Sequence, residues 1–354
     1  MVALAAAIAG AAVGSGAGGE PARSAPPPVP IERLIGQTLL VRMEAATEGL
    51  VRRARRGQIG GVIVFPPAES VPTDVRRDVK ELQRAARRGG NPPLLVATDQ
   101  EGFPVNRFPL GPPSLPPPTL GANGTRDDAK LEGEATANYL RQGHLNVDLA
   151  PVLDVVGLPA TFMSPRSYGS SPDTVARIGA AFVRGLDSQG VAATAKHFPG
   201  LGRATVNPDL APSAVSTDRA TLEEEMEPFR AAIRAGVPLV MVASASYEAL
   251  DPGVPATLSE NVIRGELRGG LRFTGAVITD DLEAEAIAAV DTPARAAVRA
   301  AQAGADLLLF ARTGAPAAQA TRNLERAVER GKLTRAELEA SYARITALKD
   351  AYAG

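Results

Sequence analysis

The sequence predicts an α/β protein folded as a single-domain (β/α)8 TIM barrel with one extra C-terminal helix. Three observations carry this expectation. The chain has 354 residues, enough for one large barrel. From residue 31 onward, eight short aliphatic runs alternate with amphipathic stretches, the pattern of parallel strands joined by helices. Capping residues precede the amphipathic stretches, and Gly190, Gly236, Gly275 and Gly304 follow them or lead into the next strand. A doubly wound open sheet is the alternative, but no Gly-rich fingerprint follows the early strands.

In chain order the expected strands are Thr38–Met43, Gly61–Phe65, Leu94–Thr98, Val147–Val155, Ala192–Phe198, Leu239–Ala243, Ala276–Thr279 and Asp306–Phe310. The expected helices are Val75–Arg88, Asp127–Gln142, Pro172–Ser188, Arg219–Ala235, Glu260–Arg268, Pro293–Ala303 and Ala317–Arg330. Thr73-Asp74, Ser216-Thr217-Asp218, Ser259 and Thr292 are placed to cap four of them. The last helix, Arg335–Ala351, is expected to pack outside the barrel. Residues 1–30 form a separate leader: an apolar run over 2–13, then Gly- and Pro-rich sequence to Pro30. That run is too short for a membrane span and fits the apolar part of an export signal. The basic residues that usually open such a signal are missing, since the first Arg is Arg23. A disordered tail on a cytoplasmic protein is the alternative. Residues 31–354 are read as one barrel domain.

Composition narrows the partners. Net charge is −1, which argues against nucleic acid or an acidic membrane surface. There is no cysteine, so disulfides and thiolate metal sites are excluded. Two histidines, His144 and His197, are too few for a multi-His zinc site. Aromatics make up 4% of the chain and Trp is absent, so a sugar or base platform would have few rings. Oligomeric state is not legible.

In such barrels chemistry sits where strands end. Strand three ends in Asp99-Gln100-Glu101-Gly102, with Arg107 soon after; strand four ends in Asp154, followed by Arg166-Ser167-Tyr168-Gly169. Strand five ends in Lys196-His197, strand six in Ser244-Ala245-Ser246, strand seven in Asp280-Asp281 and strand eight near Arg312. Each has a plainer reading as a rim ion pair, a helix cap or a backbone partner, and His144, before a strand, belongs to the opposite face. Together they describe a pocket whose carboxylates accept from hydroxyls while Arg, Lys and His donate, suited to a neutral polyol ring. A Schiff-base role for Lys196 is the aldolase-like alternative.

The stretches T-D-Q-E-G at 98–102, N-V-D-L-A-P-V-L-D-V at 146–155, R-S-Y-G at 166–169, A-K-H-F-P-G at 195–200 and V-I-T-D-D-L at 277–282 resemble glycoside hydrolase family 3, in its single-barrel β-N-acetylhexosaminidase branch. The likeness covers nearly all of residues 31–350. It implies a retaining glycosidase that removes terminal β-linked N-acetylglucosamine, plausibly from peptidoglycan or chitin fragments, with no metal or organic cofactor. β-Glucosidase activity stays open. By position, Asp280 matches the family's nucleophile, and Asp99, Arg107, Arg166, Lys196 and His197 match residues that hold the terminal sugar. Asp280 must be ionised to attack, and donors from the Lys196-His197 strand favour that state; Asp281 then caps the following helix.

Two stretches depart from the pattern. Gly-Arg normally follows T-D-Q-E-G; here it is Phe103-Pro104, and Pro104 removes an N–H donor. After strand five the branch carries Asp-Ser-His, whose Asp and His form the acid/base pair; here the stretch is Asn207-Pro208-Asp209. Three outcomes stay open: Asp209 or another loop carboxylate protonates the leaving oxygen; turnover is slow and confined to good leaving groups; or the protein is a glycan-binding pseudo-hydrolase.

Overall fold

The computed structural model describes residues 28–157 and 161–354. The leader over residues 1–30 lies outside them, except for its last three residues. Eight parallel strands form the barrel: β1 (Leu39–Met43), β2 (Gly61–Val64), β3 (Leu95–Thr98), β4 (Val147–Asp148), β5 (Ala192–Phe198), β6 (Leu239–Val242), β7 (Ala276–Thr279) and β8 (Leu308–Phe310). Neighbours in sequence are neighbours in space, β8 pairs with β1, and an Ile278–Leu307 bridge joins β7 to β8. The expected (β/α)8 barrel is therefore the fold.

Strand alternation builds two apolar layers. Leu40, Ile63, Leu95, Val147, Ala192, Leu239, Ile278 and Leu309 point inward and fill the barrel. Val41, Val62, Val96, Ala193, Val240, Val277 and Phe310 point outward against the helices. Both sets are buried, so the strands read as continuous apolar runs.

Several expected boundaries move. Regular pairing of β4 stops at Asp148, because Pro151 has no N–H to give the ladder; the chain stays beside β5 through a Val152–Lys196 bridge. The helix expected over 219–235 is two helices, Arg219–Glu225 and Glu227–Arg234, separated at Met226, where Pro228 opens the second. Asp218 caps the first, accepting from the Thr221 N–H at 2.8 Å. The segment after Ser259 is a π-helix, Asn261–Gly270. The helix expected from Val75 starts at Pro72, with Asp74 accepting from the Val71 N–H. Three helices were not foreseen, Ile31–Gln37, Glu48–Arg56 and Pro117–Asn123; the second is mostly charged, with Leu50 and Ala54 on its buried side. No helix among the described residues is long and apolar enough to cross a membrane.

The final helix, Arg335–Tyr352, corrects the expected placement. Its Ile345 and Leu348 belong to the same apolar cluster as the inward strand residues, so it seals the barrel's lower end rather than only lining its outside. The adjoining Lys349 is fully buried, and its ammonium donates to the Gln37 Oε1 at 2.5 Å. Burial pulls Lys349 down from 10.5 to about 7. Between about 7 and 10.5 the unfolded chain therefore holds a proton that the folded chain has released, so stability rises with pH across that window. Denaturant midpoints should be higher at pH 9 than at pH 6.5, by a free energy on the order of a few kcal/mol. Lys349→Met, which keeps the chain length without the charge, should flatten that rise.

Candidate active site

The upper ends of the strands enclose a cavity of about 500 Å³ lined, among others, by Asp99, Glu101, Arg107, Arg166, Lys196, His197, Asp209 and Asp280. All seven site residues expected from the sequence thus meet in one pocket, with Glu101 beside them. His144 lies at the other end of the barrel, in a groove with the C-terminal residues, as expected. Ser244 and Ser246 do not line the cavity.

Strand β5 presents its two functional side chains through a local irregularity. Strict alternation would point Lys196 inward and His197 outward. Pairing with β6 slips between Ala195 and Phe198, and such a bulge re-aims side chains, so Lys196 and His197 both reach the pocket while Phe198 enters the outer core.

The floor is a charge-paired network. The Lys196 ammonium lies 2.8 Å from Asp99 Oδ1 and 2.6 Å from Glu101 Oε1. Arg166 grips Glu101 with two parallel bonds of 2.8 Å, the bidentate geometry guanidinium favours. Arg107 reaches Asp99 at 3.4 Å. Burial works to raise both carboxyls, but Arg166 and Lys196 outweigh it at Glu101 and hold it at about 2. Lys196 and Arg107 likewise keep Asp99 below its ordinary value. Burial works against the Lys196 charge, yet Asp99 and Glu101 raise its pKa above normal. Lys196 is thus a held cation and not a free amine, which removes the footing for a Schiff-base role.

Asp154 does not reach the cavity; it orients His197. Its Oδ2 takes the His197 Nδ1 at 2.7 Å, and its Oδ1 accepts from the His197 and Leu201 N–H groups. A carboxylate only accepts, so Nδ1 carries a proton and Nε2 is the nitrogen left for the pocket.

Asp280 ends β7, half-buried, with its N–H donating to the Val242 carbonyl and its Oδ1 accepting from the Asp281 N–H at 2.8 Å. Asp281 is not the expected helix cap. Its Oδ1 accepts from Glu283 and Ala311 N–H groups, tying the end of β7 to β8, and the next helix begins only at Glu285. Burial raises its carboxyl to about 7. Asp209 stands at the cavity lip. Partial desolvation first, and the Asp280 charge second, push its carboxyl above the ordinary value, against the pull of His197, Arg166 and Arg312.

Three wall residues escaped the sequence reading. Arg42 is the penultimate residue of β1 and Phe65 follows β2; Arg42 and Arg107 both stack on the Phe65 ring, at 4.0 and 4.5 Å from its centroid. The signal for Arg42 was a lone cation in an otherwise apolar run. Phe162 also lines the pocket, with nothing in its neighbourhood to mark it. Phe103-Pro104 forms the turn of a small hairpin between Gln100–Gly102 and Val105–Asn106, leaving Phe103 exposed.

Known proteins resemble this chain over nearly the whole barrel. The description "Glycosyl hydrolase family 3 N terminal domain" matches residues 31–348. An uncharacterized secreted glycosyl hydrolase of Arthroderma benhamiae is 35% identical over 313 residues, 85% of this chain and 88% of its own length. Among solved structures, a family 3 β-N-acetylglucosaminidase from Paenibacillus superimposes with a TM-score of 0.88 at 36% identity, covering 92% of this chain. The chain spans only 63% of that protein's length. A β-N-acetylhexosaminidase from Beutenbergia cavernae gives 0.83 at 31% identity and is covered over 99% of its length, against 91% of this chain. With the family's barrel domain matched almost from end to end of the described structure, the chain belongs to glycosyl hydrolase family 3.

Proposed function

We propose that this protein is a retaining glycoside hydrolase that removes terminal β-linked N-acetylglucosamine through a covalent glycosyl-enzyme on Asp280. The observation that carries the reading is the convergence, in one cavity, of Asp280 and Asp209 above a floor of paired charges. The relatives' names supply the sugar. Peptidoglycan or chitin fragments are the source this reading favours, and export fits both the apolar run at residues 2–13 and the secreted relative.

The chemistry follows from the residues in place. Lys196, Arg166 and Arg107 donate to sugar hydroxyls, while Asp99 and the His197 Nε2 accept. An Asp280 oxygen attacks the anomeric carbon as the bond to the leaving oxygen breaks, and Asp209 protonates that oxygen. Water then attacks the same carbon, gives its proton to Asp209, and releases Asp280. After desolvation, the charge of Asp280 is the second cause that raises the Asp209 carboxyl above its ordinary pKa. Once Asp280 is esterified that charge is gone, so Asp209 loses its proton more readily and is ready to act as a base.

The sign of the pH dependence is fixed by the first step. Asp209 must be protonated there, so kcat/KM falls as pH rises through its raised pKa. Asp209→Asn should remove that alkaline limb. It should slow a natural disaccharide by about 10²–10⁴-fold and change an activated aryl N-acetylglucosaminide far less. Initial rates on both substrates across pH test the assignment. Sugar binding with no hydrolysis of either substrate by the wild type would instead support the pseudo-hydrolase reading, which rests on the missing Asp-Ser-His.

A further inference from the structure

We propose that Arg312 is a positioning residue for the proton donor, registering the Asp209 loop to the segment that follows the nucleophile. This rests on the acid/base reading of Asp209. No hydrogen bond holds the Asp209 carboxylate among the described residues, so its aim depends on its backbone. That backbone is gripped from β7 and β8. The Arg312 guanidinium donates from one nitrogen to the Asp209 carbonyl at 2.9 Å and from another to Glu285 Oε1 at 2.7 Å. The Ala286 N–H donates to the Pro208 carbonyl at 3.0 Å. Glu285 and Ala286 open the short helix that follows Asp280, so donor and nucleophile share one frame.

The rest of the loop is anchored on its other side. The Leu201 N–H bonds to Asp154 at 2.6 Å, and Arg203 pairs with Glu225 at 2.7 Å. A Cβ on Gly202 would stand 1.8 Å from the Val155 carbonyl oxygen, so the loop lies directly on the chain that continues beyond β4. Asp209 itself turns on Asn207, whose Oδ1 accepts its N–H at 3.0 Å. Arg312 closes the remaining side.

Both Arg312 and Glu285 are solvent-exposed, and an exposed pair contributes little to stability. A structural role therefore predicts almost no effect of Arg312→Ala. The positioning role predicts a selective one. Misplacement of a catalytic group by about 1 Å costs up to roughly 100-fold, and only where proton donation matters. Arg312→Ala should lower kcat on a disaccharide by about 10–100-fold, with KM little changed and an activated aryl glycoside nearly unaffected. Glu285→Ala should show a smaller loss of the same kind, and Arg312→Lys a partial recovery. The charged groups that act on Asp209 are Asp280, His197, Arg166 and Arg312. Losing the Arg312 cation raises the Asp209 pKa, so the alkaline limb should move upward in Arg312→Ala and return in Arg312→Lys.

Asp209→Asn measured in parallel separates the two ideas. If it shows the leaving-group dependence and Arg312→Ala loses both substrates equally, or neither, the positioning role is overturned and the acid assignment stands. If Asp209→Asn shows no such dependence, the acid assignment fails and the positioning role fails with it.

Discussion

Asp280→Asn should fold normally, bind N-acetylglucosamine, and turn over at least about a thousandfold more slowly, as expected for loss of a covalent nucleophile. The substitution is nearly isosteric. The Asn side-chain oxygen keeps the bond from the Asp281 N–H, and the backbone bond from residue 280 to Val242 is untouched. The donors and acceptors for the hydroxyls sit on other strands, so the sugar-holding network persists. What is lost is the oxygen that forms the ester. Calorimetry with the free sugar and rates on an aryl N-acetylglucosaminide check both halves. A smaller cavity-forming variant, Asp280→Gly, should regain some turnover with added azide, giving a product of inverted configuration. Full turnover by Asp280→Asn would remove Asp280 from the nucleophile's role.

The second large effect concerns stability and binding together. Lys196→Met should destabilise the fold by about 3–5 kcal/mol, the cost of leaving buried charge without its partner. Asp99 and Glu101 would lose their shared cation, although Arg166 keeps its two bonds to Glu101. The acid side carries the signature. Glu101 titrates at about 2 in the fold against 4.5 ordinarily, and a carboxyl depressed in this way stabilises the fold above its unfolded pKa. That contribution fades as pH falls from about 4.5 and is gone below about 2. In Lys196→Met the two carboxyls titrate higher, closer to their unfolded values, so the acid-side loss of stability should be smaller and should end at a higher pH. Urea midpoints between pH 3 and 7 measure it. Sugar affinity should fall with the same substitution. An unchanged midpoint at pH 7 would show that Arg166 and Arg107 alone compensate the two carboxylates.

Most of the barrel was legible because buried parallel strands are written as unbroken aliphatic runs and their helices as amphipathic ones. The site was legible for a related reason: a polar residue directly after such a run has few places to go except the rim. What escaped depends on geometry that composition does not encode. The slip in β5 that brings Lys196 and His197 to the same side leaves no mark in Ala-Ala-Thr-Ala-Lys-His-Phe. Asp281 looked like a helix cap because Asp commonly is one, whereas its partner Ala311 is distant in sequence. The break at Met226 was readable from Pro228. Ile345 and Leu348 announced a buried helix face without saying which surface would cover it.

That last helix has a consequence for synthesis. A ribosome delivers the eight strands first, and the underside of their common interior stays uncovered until Ile345 and Leu348 emerge. Gln37 must then find Lys349 across 312 residues of chain. The barrel is therefore finished from below by sequence made only after all eight strands, and a nascent chain halted near Thr334 would present an open apolar base, the kind of surface on which chains aggregate.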